Sequence, residues 1–550
     1  MNTAAAKQIK FPLLGVLVFL LIMAVSFSLT LSKNHSDAED AVAYAHHVTT
    51  GESLYQFHPN HLLYNAINRD FYLRWKSAGY DGDALLPMQV LNVITSLITL
   101  MIVALIGWRM GLTQQWVFLV LLTLVSCYGY WWYSVEVEAY LLPLPFALTA
   151  WFLTSQFIQS GKNYRLLIVA GCVAISILIH QQWIALFAAI GITLLIHWWR
   201  TRGLAEYQNM LPAIISAAAL CIGIVILTYL LVISGYYSIT SPEGIQAWIR
   251  GDQENVKLAQ WSYLNPIKSL IGALRAVWGG HFVFGFHALQ DLLTQTFPNK
   301  LLVEEIFLAN SISAWIRWCC VVLSVLTIAI AALILVLSFS GRKNKLLNTS
   351  SHQKHSSQGY TLTGTVTIAV FFSLNIFVDP TNSELYIGIL PIAILLIASR
   401  LSQRAKSGTA ALSVAAFSVL LLVTNLLGSV IPQTNQKHDY WYAVNQYLIE
   451  KTTPSDVIIS EGGYINDAYL RLFSTAKIER GIVMSSQRIA ELKNQFSSGR
   501  MLVSSWTFKP PAGLDRQLQS YEPDKVKQYF QQYQLSVIAE NSAQTIYLVE

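Results

Sequence analysis

Eleven stretches of the chain read as nearly unbroken apolar runs, at about residues 11–31, 88–107, 115–130, 139–157, 166–180, 184–199, 210–234, 315–339, 360–378, 385–399 and 408–431. Runs of roughly 18 apolar residues are what an α-helix needs to cross the hydrocarbon core of a bilayer. The pattern predicts a mainly α, polytopic membrane helix bundle over residues 1–431. Beyond residue 431 the long runs stop and shorter patterns alternate. Helices are expected at Asp439–Lys451, Ile465–Phe473, Gln487–Phe496 and Asp524–Tyr533, and strands at Asp456–Ser460, Met501–Ser505, Leu535–Ala539 and Thr545–Val549. Alternating helix and strand implies a small α/β domain over residues 432–550.

The polar connections between the runs sort by charge. Arg109; Lys162 and Arg165; Arg200 and Arg202; Arg342, Lys343 and Lys345; and Arg400, Arg404 and Lys406 occupy every second connection. Lys and Arg close to helix ends mark the cytoplasmic side. With Lys7 and Lys10 also inside, about eleven spans put the N-terminus in and the C-terminus out. The other side receives loops at residues 33–86 and 235–315, three short turns and the C-terminal tail. Within those loops, Leu62–Trp75 and Pro266–Val277 are amphipathic, a pattern that suits the membrane interface. A long outer α/β tail fits a bacterial inner membrane with its chemistry facing the periplasm.

Composition changes little in this picture. Of 550 residues, 54% are hydrophobic and only 12% charged, about half the charged share of a soluble domain. The net charge of +6 comes largely from the basic connections, so nucleic acid is not expected as a partner. All five cysteines (Cys127, Cys172, Cys221, Cys319, Cys320) lie inside apolar runs, which argues against a disulfide framework or a thiolate metal site. The first run, Phe11 to Leu31, exceeds the roughly 7–15 residues of a signal-peptide core and lacks a small-x-small cleavage site, so it reads as a retained first helix.

The residues capable of chemistry fall on the outer side. After the first helix comes Asp37-Ala38-Glu39-Asp40, followed by Tyr44, His46 and His47. On a helix, Asp37, Asp40, Tyr44 and His47 would share one face. Two carboxylates so close to each other and to lipid would have raised pKa values, and could accept a proton from a hydroxyl or hold a divalent cation. The same residues also suit a solvated helix start, where acids favour the dipole. His58-Pro59-Asn60-His61 follows. The next outer turn carries Trp131-Trp132-Tyr133 and then Glu136, Glu138 and Tyr140. Its tryptophans fit an interfacial belt, but carboxylates at the end of an apolar bundle are costly unless used. Further outer turns hold His180-Gln181-Gln182-Trp183, and Asp379 with Asn382 and Glu384. Topology brings these turns to one side, where they are expected to share a chamber.

In this order the motifs resemble the GT-C superfamily of membrane glycosyltransferases, which use polyprenyl-phosphate sugars and include protein O-mannosyltransferases and lipid A aminoarabinose transferases. The family's acidic pair after helix one, with an aromatic four residues on, is similar to Glu39-Asp40 with Tyr44. Its His-Pro element resembles His58-Pro59, its aromatic followed by Glu-x-Tyr resembles Trp132 through Glu138-Ala139-Tyr140, and its third-turn His resembles His180. The resemblance covers the layout of residues 10–430 and only these short motifs in detail. Two departures, Asp37-Ala38-Glu39-Asp40 for a glycine-containing acidic motif and His58-Pro59-Asn60-His61 for His-Pro-Pro-Gly, leave sugar and acceptor open.

The resemblance implies Asp40 as general base, with Asp37, Glu39 and Glu138 orienting the acceptor or sharing a proton or cation. It implies a polyprenyl-phosphate sugar donor seated among membrane lipid, a protein, lipid or glycan acceptor, and a positive or hydrogen-bonding group for the leaving phosphate. Candidates for that last role are Arg250, Lys257, Lys268, Arg275 and His281. The main rival is a transporter, which Pro143 and Pro145 in one helix recommend. However, transporters place their charges near the midplane within internal repeats, and no repeated half is visible here. A polysaccharide ligase or polymerase would rely on outer-loop arginines rather than an acidic motif after helix one.

Overall fold

The structure is a computed structural model that describes residues 12–38, 40–203, 209–250, 261–296, 303–340, 351–404, 407–511 and 521–550. Each apolar run folds as a helix: Leu13–Leu29, Leu85–Arg109, Gln114–Ser126 continuing into Tyr128–Val135, Leu144–Ser160, Tyr164–Ile179, Ile184–Thr201, Met210–Leu230, Ala314–Ser340, Ser351–Phe377, Leu390–Arg404 and Ser407–Asn425. Among the described residues seven helices are long and apolar enough to cross a membrane, eight if the bent pair counts as one span, and Leu13–Leu29 and Tyr164–Ile179 are shorter apolar helices. The chain is an integral membrane protein. Large apolar side chains stay exposed on the bundle's outside, such as Leu14, Leu21, Ile226 and Ile328. In water that surface would be a liability; in lipid it is the solvent-facing side.

The bent pair turns by 69° at Cys127, whose backbone is extended. A break inside a bundle leaves carbonyls without helical partners. Asn425 answers it, donating from Nδ2 to the Ser126 carbonyl at 2.8 Å and to the Val277 carbonyl at 2.9 Å. The Tyr128–Val135 helix is thereby held buried at the end of the bundle. At the other end, Arg165 donates to the Gln156 carbonyl at 2.6 Å, Gln156 to the Tyr360 hydroxyl, and Arg400 to the Ser338 carbonyl. These arginines come from the basic connections.

The C-terminal tail forms a five-stranded mixed sheet in the order β2-β1-β3-β5-β4, with β1 Val457–Ser460, β2 Lys477–Arg480, β3 Met501–Ser504, β4 Leu535–Glu540 and β5 Thr545–Val549. β1 runs parallel to β2 and β3, and β5 antiparallel to β3 and β4. Val457 and Ile459 pack on one face with Ile489, Leu492 and Phe530, while Ile458 packs on the other with Leu448 and Leu470. Burial on both faces explains why β1 reads as an unbroken apolar run. β2, with the sequence Lys-Ile-Glu-Arg, was not anticipated. It is an edge strand whose charges form surface pairs, Lys477 with Glu479 at 3.0 Å and Arg488 with Glu479 at 2.7 Å, so it lacks the apolar signature of a strand.

Among the contacts that join sheet unit and bundle is a buried polar node. Asp439 caps the Tyr440–Glu450 helix by accepting from the Tyr442 N–H at 2.9 Å. The same carboxylate accepts from the His35 N–H and the Ser36 hydroxyl, both at 2.8 Å, and from the Tyr469 hydroxyl at 2.7 Å. Lys33 and Asn34 add backbone bonds to the Gln433 carbonyl at 3.0 Å. Replacing a buried, fully paired carboxylate strands four donors, at about 2–4 kcal/mol in total. Asp439→Ala should lower the thermal unfolding midpoint of the detergent-purified protein and open the junction near residue 435 to limited proteolysis. An unchanged midpoint with an unchanged digest would contradict the role given to this node.

Candidate functional site

The segment leaving the first helix is fixed residue by residue. The Ser32 N–H bonds the Val135 carbonyl at 3.2 Å, and Gln89 donates to the Ser32 carbonyl at 2.8 Å. His35 is buried with Nδ1 2.9 Å from Glu136 Oε1. Burial alone would lower the His35 pKa, but Glu136 and then Asp439 outweigh it and raise it. Two residues on, Asp37 accepts from the Tyr128 hydroxyl at 2.9 Å and meets His281 Nε2 at 3.0 Å. Ser429 holds the other ring nitrogen of His281 at 2.9 Å. Gly280, at φ +68, makes the turn that delivers His281, a conformation glycine adopts without strain. Burial pushes the Asp37 pKa up, yet His281 and Arg275 override it and bring it down to about 2.

Asp40 has a different environment. It is the N-cap of the Ala41–Thr50 helix, but its side chain makes no capping bond. The Tyr44 hydroxyl donates to Oδ2 at 3.0 Å, and the Tyr464 hydroxyl, from the first residue of the Tyr464–Phe473 helix, donates to Oδ1 at 3.0 Å. Tyr44 Oη also lies 3.2 Å from His61 Nε2. Since that hydroxyl is spent on Asp40, His61 donates from Nε2, which leaves its buried Nδ1 without a partner. Burial holds His61 well below its ordinary pKa, and therefore neutral. Asp40 is half-buried, on the edge of this aromatic group.

Beyond Asp40 lie two further carboxylates. Glu138 is buried, and burial followed by the charges of Glu384 and Asp40 raises its pKa well above the ordinary range, which favours its protonated form. Glu384 accepts from the Tyr133 hydroxyl at 3.1 Å and from Asn382 at 2.9 Å, and it also bonds Tyr140. Tyr140 packs against His180 with ring centroids 4.7 Å apart. Burial lowers the His180 pKa to about 4, and its Nδ1 accepts from the Gln182 N–H. Tyr133 lies within electrostatic reach of Glu384, Glu138 and Asp37, and so joins this group to the Asp37–His281 pair.

The structure brings Asp40, Tyr44, Glu138, Tyr140, His180, Asn382 and Glu384 into one cluster, with Asp37 and His281 beside it. His58 stacks on His61 at 4.5 Å, on the rim. Glu136 sits one step away, bonded to His35. Several expectations are corrected. Asp37 is not on the helix face of Asp40, because the helix begins only at Ala41, and His281 lowers its pKa where a raised one was expected. His47 turns away to stack on Tyr55 at 3.9 Å. Asp379 is exposed and closes its own turn through Thr381. Lys268, half-buried on the Asn265–Val277 helix, has no hydrogen bond to the cluster, and Arg250 is exposed at the end of Pro242–Arg250. Of these candidates Arg275 reaches the group as His281 does, within range of Asp37 and Tyr133 and 3.9 Å from Glu305. Glu39 and Lys257 lie outside the described residues. Among the described residues, the acidic cluster does not bring three ligand atoms within 4.8 Å of one another, as a preformed cation site would.

Sequence reasoning missed His35, Asp439 and Tyr464. Tyr464 stands 424 positions from Asp40 with no motif around it, so only the fold places it.

No family model matches the chain, and no curated protein sequence matches it. Among solved structures the chain is similar to ArnT from Cupriavidus metallidurans in the apo state, at 10% identity and a TM-score of 0.48 over 98% of each chain. It is similar to the same protein bound to undecaprenyl phosphate, at 10% identity and a TM-score of 0.48 over 97% of this chain and 98% of that one. It is also similar to the Archaeoglobus fulgidus oligosaccharyltransferase in the apo form, at 10% identity and a TM-score of 0.42 over 98% of this chain and 74% of that one.

Behind Tyr464, Glu461 is fully buried and accepts from Asn466 at 2.8 and 3.0 Å. Burial raises its pKa to about 7 from 4.5. The folded state therefore binds this proton more tightly than the unfolded chain, so stability is fully present below pH 4.5 and declines as pH rises through 7. Glu461→Gln should unfold at a higher temperature than the native protein at pH 8 and show no such gain at pH 4. Equal midpoints at pH 8 would count against a buried charge there.

Proposed function

We propose that this protein is a GT-C type glycosyltransferase that moves a sugar from a polyprenyl-phosphate donor to an acceptor hydroxyl at the non-cytoplasmic face of a bacterial inner membrane. The observation that carries this reading is the state of Asp40: a half-exposed carboxylate, spared from helix capping and oriented through both oxygens by Tyr44 and Tyr464. A general base must be ionised, oriented and reachable. Burial favours the protonated form of Glu138, and Asp37 is engaged with His281 and Tyr128.

In the proposed reaction the acceptor hydroxyl gives its proton to Asp40 as its oxygen attacks the anomeric carbon. The new glycosidic bond forms while the bond from that carbon to the phosphate oxygen breaks, and the electron pair leaves with the polyprenyl phosphate. Attack from the face opposite the leaving group inverts the anomeric centre. Arg275 supplies the positive side of the site and His281 a ring nitrogen beside it, where departing phosphate charge would be stabilised. Glu138, as a neutral acid, and Tyr140 and His180 offer hydrogen bonds to sugar or acceptor hydroxyls. Glu384 and Asn382 hold each other and Tyr133 in register.

The test is transfer of label from a panel of polyprenyl-phosphate sugars by the purified protein in lipid vesicles. Asp40→Asn should lower transfer by about 10²–10⁴-fold while leaving the unfolding midpoint in place; transfer at the native rate by this variant overturns the assignment. Tyr464→Phe removes one orienting bond and should lower kcat by about fivefold to tenfold with little change in KM. A change in KM alone would show that Tyr464 serves binding rather than the base.

A further inference from the structure

The far end of the Ala41–Thr50 helix carries a second constellation that the proposed reaction does not use. His46 and His47 are adjacent in its last turns, and Glu52 returns to them across Gly51. Gly51 has φ +70, which lets the chain reverse there, and Arg69 packs against it while donating to the Val48 and Thr49 carbonyls. The reversal brings Glu52 Oε1 to 3.5 Å from His46 Nε2, and Glu52 Oε2 to 3.4 Å from His47 Nδ1.

We infer that His46, His47 and Glu52 form a binding site for a divalent transition metal, zinc being the best match of ion to ligands. Two observations support it. First, ligand atoms about 2.0–2.1 Å from a tetrahedral zinc lie about 3.3–3.4 Å apart, which the 3.5 and 3.4 Å separations match, and one atom from each residue falls within 4.8 Å of the others. Two imidazoles and a carboxylate are also the donor set of many zinc sites with an open fourth position. Second, His47 Nδ1 is out of contact with solvent and meets only the Glu52 carboxylate, at 3.4 Å and without good hydrogen-bond geometry, although the ring is fixed by stacking on Tyr55. A buried imidazole nitrogen left unmatched calls for an explanation, and coordination supplies one.

The use of the distal nitrogen of one histidine and the proximal nitrogen of the next lets neighbouring residues converge on one point. The surrounding charges are compatible: Arg471 faces His46 but is neutralised by Asp467 at 2.7 Å, and His58 faces His47. A metal here would tie the end of the helix that begins at Asp40 to residues 52–58, and would position that helix without touching the reacting atoms.

The experiment uses the full-length detergent-purified protein, stripped with a chelator, dialysed and titrated with zinc alone. About one zinc per chain should bind, X-ray absorption should show imidazole scattering with first-shell distances near 2.0–2.1 Å, and His47→Ala or Glu52→Gln should weaken binding more than tenfold. His287→Ala, at an exposed histidine elsewhere, should bind as the native chain does. The absence of stoichiometric zinc in the native protein, an absorption spectrum without imidazole, or undiminished binding by both variants would overturn the site. The spectrum needs no variant, so a misfolded mutant cannot obscure the result. Zinc binding without sugar transfer would retain the site and reject the function proposed above.

Discussion

A buried histidine that engages two buried carboxylates, one through its ring and one through its backbone N–H, sets the geometry of everything near it. His35 lies between Glu136, at the end of the Tyr128–Val135 helix, and Asp439, at the start of the Tyr440–Glu450 helix, and neither acid is open to solvent. Charges withdrawn from water are tolerated only when paired and hydrogen-bonded, and removing one partner costs far more than the pair contributes. Any displacement of the sheet unit from the bundle would strand Asp439 and unbalance His35. The stretch from His35 to Asp37 is therefore held from both sides, and the short lever arm from His35 fixes where Asp37 sits.

The same economy of polar groups governs the rest of the cluster. Phenols supply most of the donors that reach its carboxylates: Tyr128 for Asp37, Tyr44 and Tyr464 for Asp40, Tyr133 and Tyr140 for Glu384. Tyrosine suits this place because it buries a large apolar ring among helices and offers a single hydroxyl at its tip. The aromatic turn Trp131-Trp132-Tyr133 reads in sequence as an interfacial belt, and the structure puts it to a second use. Trp132 is fully buried in the core, while Tyr133 links the two halves of the site.

Legibility followed the physical range of each signal. The helices were visible because lipid exposure demands about 20 consecutive apolar residues, and β1 because burial on both faces makes it Val-Ile-Ile. β2 was not, since an edge strand needs only Ile478 inside. The cluster's membership was partly visible, because positive-inside asymmetry places Asp40, Glu138, His180 and Glu384 at one end of the bundle without knowledge of any contact. What sequence could not give was direction. Nothing in Asp37-Ala38-Glu39-Asp40 says that the helix starts after Asp40, so periodicity placed Asp37 with Tyr44 when it faces His281. Nor does the chain announce that Asp379 closes its own turn while Glu384, five residues on, points inward. Tyr464 and Asp439 depend on how a sheet unit docks, which no local pattern encodes.

Asp37 and Asp40, three positions apart, show how environment assigns different work to like groups. Asp37 is surrounded by a histidine, an arginine and a phenol, and its pKa of about 2 makes it a weak base whose chief effect is to hold His281 in place. Among the described residues Asp40 accepts from two phenols, which orient its oxygens without committing a counter-charge to them. Glu138, nearer the apolar core, is favoured in its protonated form, which can only donate or accept a hydrogen bond until something nearby changes. If all three had been ionised and unpaired, their mutual repulsion at the end of an apolar bundle would have opened the site. Grading them into a carboxylate engaged by His281 and Tyr128, one oriented by phenols and one whose neutral form burial favours leaves one group, Asp40, at which a proton taken from a hydroxyl could rest.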